Sequence, residues 1–162
     1  MANVSIWVAV VTAGAGIIGA AIPQVASVFR DVRQAERDRR DRSAAMTRDA
    51  CVALLRAAGE VRTLTESIRG YRGNADGMRE RMEEVRRAAE ATRVHAAEVS
   101  MQAPTKLAEP ADRVAGAASD LADDVVRNTD LDQGLLIGNP DVSKLAECIT
   151  AFRDEAVQYA SG

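Results

Sequence analysis

From Ala2 to Phe29 the chain carries no Asp, Glu, Lys or Arg, a run of 28 residues. A run of this length without charge leaves water either by crossing a bilayer or by burial inside a protein. About 20 helical residues cross a hydrocarbon core at 1.5 Å per residue, so the run is long enough. Within it, Gly14-Ala15-Gly16-Ile17-Ile18-Gly19 spells G-x-G-x-x-G. As a dinucleotide fingerprint this spacing needs a strand before it, a helix after it and further βαβ units, with an acidic residue about 20 positions on. Asp31 or Glu36 meets the last condition, but no short β-rich runs follow. The small residues then read as helix-packing positions. Ala15 and Gly19 are four apart, as are Gly16 and Ala20, a spacing that lets spanning helices approach closely. Trp7 stands near one end, where an interfacial aromatic belongs, and Pro23 stands near the other. A cleaved signal peptide is disfavoured, because no basic segment precedes the run and the run exceeds an h-region. Residues 1–29 are therefore expected to form a transmembrane helix.

The next segment, 30–42, reads RDVRQAERDRRDR. Its six arginines, Arg30, Arg33, Arg37, Arg39, Arg40 and Arg42, have no counterpart before the span. Arginine flanks stay on the cytoplasmic side, which places the N-terminus outside and the rest of the chain in the cytoplasm of a single-pass plasma-membrane protein. Four acidic residues bring the segment's net charge to only +2, which weakens an anionic-lipid reading. Glu36–Arg40 and Asp38–Arg42 have the spacing of helix-stabilising pairs. The segment reads as a juxtamembrane helix that continues the span.

Residues 43–162 carry four apolar stripes of helical period. They run Cys51, Leu54, Ala58, Val61, Thr65, Ile68; then Met78, Met82, Val85, Ala89, Thr92, Ala96, Val99. The third is Leu107, Ala111, Val114, Ala118, Leu121, Val125, and the fourth Val142, Leu145, Ile149, Phe152, Ala156, Tyr159. The first stripe belongs to a long helix continuous with the span. Gly70 to Gly77 forms a turn or loop, Pro104 ends or bends the second helix, Pro110 falls in the first turn of the third, and Asp141 caps the fourth. The expected fold is all-α: a transmembrane helix running into a long helix that packs in an antiparallel bundle of three or four helices, with a multi-chain coiled coil as the competitor. The segment NTDLDQGLLIGNP, 128–140, reads as a loop. Its Leu135, Leu136 and Ile137 either tuck over the bundle end or offer a contact to a partner.

Catalytic patterns are not found. One histidine, His95, excludes a multi-histidine metal site, and it falls one step off the second stripe, at a boundary or surface position. Glu83-Glu84 and Asp123-Asp124 are adjacent on a helix and so do not face each other. The run Asn128 to Gly134 approaches a calcium loop, but its glycine is one place late and Asn139 stands where the bidentate Glu belongs. Cys51 and Cys148 lack zinc or disulfide-framework spacing and read as small core residues. Aromatics are 3% of the chain and net charge is −3, so neither a stacking surface nor a pull toward nucleic acid is present. No enzyme, cofactor, metal, nucleic acid or small-molecule substrate is expected.

The stretches VTAGAGIIGAAIPQV, RRDR, CVALLRAAGEVRT, LAEPADRVAGAASDLA and NTDLDQG resemble a group of actinobacterial membrane-anchored, Ala/Arg-rich helical proteins. The likeness implies a source and a membrane anchor, and no activity. The functional expectation is a scaffold, anchor or regulator whose bundle binds another protein or itself. The alternative is a membrane-perturbing effector, of phage-defence or toxin type, that oligomerises through its span. A third reading, an apolar-ligand sensor, requires a cavity in the bundle.

Overall fold

The structure is a computed structural model that describes the backbone of residues 3–103 and 106–161 and the side chains of 34–103 and 106–161. Helix α1 covers Asn3–Arg69, α2 Ala75–Gln102, α3 Ala108–Arg127 and α4 Ser143–Ser161. Two very short strands, β1 (Thr129–Asp130) and β2 (Leu135–Leu136), lie between α3 and α4. The chain divides into two compact units, Met1–Arg42 and Ser43–Gly162. In the first, the described side chains, 34–42, are all exposed. Glu36–Arg40 and Asp38–Arg42 are not among the ion pairs of the described residues. Fully solvated arginines gain little from holding such a geometry.

The second unit is an all-α bundle of the C-terminal part of α1 with α2, α3 and α4, sharing one apolar cluster. Every residue of the first and third stripes is buried, and so is every residue of the second except half-buried Met82. Burial of each Val or Leu in these stripes is worth about 1.5–3 kcal/mol, which makes the stripes the main source of cohesion. Helix α3 is the innermost. Beyond its stripe it buries Pro110, Ala115, Ala117 and Ala122, so it presents small residues over a wide arc. These alanines let α2 and α4 flank it.

Local chemistry sets the ends. The Asn74 side chain accepts a hydrogen bond from the Gly77 N–H at 2.9 Å, so α2 begins at Ala75. The expected Gly70–Gly77 loop is thus shortened, and its last three residues form a helical turn. Asp76 in that turn pairs with Arg79 at 2.6 Å and favours the positive end of the helix dipole. Pro110 lies in the first turn of α3 as expected. Asp141 stands one position further out than a true N-cap. Its Oδ1 accepts from the Ser143 N–H at 2.9 Å, while the first helical bond of α4 runs from the Ala146 N–H to the Val142 carbonyl. These contacts hold the Asp141 carboxyl below its usual range, with Arg69 adding to the effect.

The order is up-down-up-down. Arg81 of α2 lies over the Tyr71 ring, 4.6 Å from its centroid, just past the end of α1. Lys144 at the start of α4 reaches Asp120 at 2.6 Å, and Arg113 reaches Glu155 at 3.5 Å, so α3 and α4 run antiparallel. Hydrogen bonding to Asp120, then its charge, raises the Lys144 pKa.

Gly116 is exposed in the interior of α3, and a Cβ built there meets nothing within 4 Å. Glycine inside a helix costs roughly 0.5–1 kcal/mol relative to alanine. Gly116→Ala is therefore expected to raise stability by about that amount, read as a higher denaturant midpoint with an unchanged slope. A fall in the midpoint would contradict the placement of this face in solvent.

Candidate functional site

The expected span-packing residues Ala15, Gly16, Gly19 and Ala20 lie outside the residues whose side chains are described, as do Arg30 and Arg33. Among the described residues, no helix is long and apolar enough to cross a membrane. Arg37, Arg39, Arg40 and Arg42 are exposed on α1.

The segment 128–140 is not a plain loop. Thr129 pairs with Leu136 and Asp130 with Leu135, antiparallel. Asp130 Oδ1 turns the chain by accepting from the N–H groups of Asp132 and Gln133, at 2.9 and 3.2 Å. Gly134, at φ +61°, completes the reversal in a conformation that favours glycine. The carboxylate that brushed against a calcium pattern is thus used in a turn. Leu131 and Leu136 pack onto the core, and Arg69 at the end of α1 donates to the Pro140 carbonyl. Leu135 is half-buried, whereas Ile137 is 75% exposed. The apolar trio therefore divides: Leu136 packs on the bundle core, Leu135 is half-buried without joining that cluster, and Ile137 faces solvent.

His95 sits half-exposed on α2, with Nδ1 2.8 Å from Glu98 Oε2 on the same helix. No group of three or more His, Cys, Asp or Glu side chains suited to a metal occurs among the described residues. Both cysteines are free. Burial pushes the Cys51 thiol up, away from the reactive thiolate.

Among the described residues, a concavity lies at the opposite end of the bundle from the hairpin. A groove of about 600 Å³ runs between residues 44–55 of α1 and 153–160 of α4, closed below by Leu107. Its walls are mostly apolar and include Cys51, Val52, Leu55 and Val157. Among the described residues, three cations, Arg48, Lys106 and Arg153, stand in its lining and no carboxylate does. Arg153 is shared with its neighbour Asp154 at 3.4 Å. Arg48 and Lys106 form no ion pair among the described residues.

The groove exists because the fourth stripe runs out of cover. Leu145 and Phe152 are buried, but Ala156 is only half-buried and Tyr159 is 41% exposed. Periodicity marks Ala156 and Tyr159 as core and carries no sign that the end of α4 lacks a partner at that depth. The available signal was Val157, an off-stripe apolar residue beside Tyr159. No protein-family model matches the chain, and no curated protein or solved structure matches it.

Proposed function

We propose that the chain is a single-span membrane protein whose helical bundle is a non-enzymatic interaction module on the cytoplasmic side. The observation that carries this reading is the run of 28 uncharged residues, Ala2 to Phe29, followed directly by six arginines in 30–42. The uncharged run suits hydrocarbon, and the arginines set its orientation. The bundle supports the second half of the proposal. Its described carboxylates and its single histidine face solvent or make surface pairs, as the helix-local His95–Glu98 contact does. Ile137, held outward on a pinned hairpin, gives the module an apolar contact point at one end.

Alkaline carbonate extraction tests the anchor, and an impermeant maleimide tests the sidedness. The protein is expected to stay in the membrane pellet. Cys51 and Cys148 are expected to resist the reagent in intact cells and to label after lysis with mild denaturation, which buried Cys51 requires. Release into the supernatant would remove the span, and labelling in intact cells would reverse the orientation.

A further inference from the structure

We infer that the groove between α1 and α4 binds a long-chain fatty carboxylate, with its tail along the apolar walls and its headgroup at Arg48 and Lys106. The volume, about 600 Å³, falls in the range of small-molecule sites. The charge pattern selects the headgroup. Among the described residues the lining holds three cations and no acid, and Arg48 and Lys106 are the two without a carboxylate partner. An uncharged apolar ligand would leave those cations without use, and a cationic one would be repelled.

The same pattern argues against a second copy of this chain. A two-fold contact buries the same patch of both copies, so both sets of Arg48, Lys106 and Arg153 would enter one interface that these linings supply with no carboxylate among the described residues. A single-chain amphiphile needs only one headgroup position and one channel. The uncovered apolar side chains at the rim, Val52 at 50% and Val157 at 60% exposure, lie where such a chain would shield them from water. The inference does not depend on the membrane reading, because the groove is built wholly within Ser43–Gly162.

The test uses the full-length protein and a palmitate analogue with a photoreactive diazirine near its chain end. Matched methyl-ester and lysophosphatidate analogues serve as controls, and crosslinked peptides are mapped by mass spectrometry. The carboxylate probe is expected to label peptides covering 44–55 and 153–160, and unlabelled palmitate is expected to compete. The Arg48→Glu/Lys106→Glu pair, both exposed and outside the core, is expected to cut labelling at least about tenfold with helix content unchanged, the equivalent of ~1.4 kcal/mol. Val52→Trp, which fills the groove without touching charge, is expected to do the same. Four outcomes overturn the inference: equal labelling by the methyl ester, stronger labelling by the lysophosphatidate, labelling outside these two segments, or protein–protein crosslinks through them in place of lipid adducts.

Discussion

Phe152→Ala is expected to destabilise the bundle by about 3–5 kcal/mol, the range for deleting a buried aromatic. Phe152 is fully buried and heads the large side chains of the core. The loss would be felt most in α4, which has only one other buried residue, Leu145. Of the remaining stripe positions, Val142, Ile149 and Ala156 are half-covered and Tyr159 is exposed, so none closes over the gap. Domains of ordinary size hold only about 5–15 kcal/mol in total, so this one truncation removes a large fraction. Urea unfolding followed by circular dichroism would show a lower midpoint. Hydrogen exchange would show α4 losing protection before α2 and α3 do. A loss below about 1 kcal/mol would mean that α4 does not dock through Phe152.

Gly134→Val is expected to cost about 2–4 kcal/mol, from two separate causes. At φ +61° the backbone lies where a β-branched side chain is strained. A Cβ at that position would also stand 2.9 Å from the Gly73 carbonyl oxygen and 3.0 Å from the Asn74 carbonyl carbon. The hairpin turn therefore presses against the loop that joins α1 to α2. Asparagine tolerates the left-handed region but still brings a Cβ. If Gly134→Asn recovers most of the stability, the conformation is the main cost; if it recovers little, the close approach is. Thermal unfolding separates them, since 2–4 kcal/mol corresponds to a shift of roughly 5–15 °C.

Much of the bundle was legible from spacing alone. Cys51, Leu54, Ala58, Val61, Thr65 and Ile68 all enter the core, and so do all six residues of the Leu107–Val125 stripe. A 3.6-residue period reports directly which side of a helix leaves water, so such stripes survive into the fold unchanged. The hairpin was not legible, because two-residue strands leave no alternation to detect. It depends on the Asp130 turn and on Gly134, whose positive φ no pattern of polarity encodes. The start of α2 was readable in principle. Asn74 is a strong capping residue, but the glycines around it read more loudly as loop. The groove was hidden for a different reason. Whether Ala156 and Tyr159 are covered depends on how far a neighbouring helix extends alongside them, which their own helix does not record.

Three polar side chains are buried among the described residues, and each turns back on its own helix. Thr47 donates to the Ser43 carbonyl at 3.0 Å, Thr65 to Val61 at 2.9 Å and Thr92 to Ala88 at 2.8 Å. None of these hydroxyls reaches across to another helix, so inside the core the helices are matched by side-chain size, with alanine dominating the buried arc of α3. In mutational terms, that makes the alanine arc of α3 the stretch least free to drift. Hydroxyl-to-methyl exchange at Thr65 or Thr92 would change the bundle's vocabulary without changing its meaning.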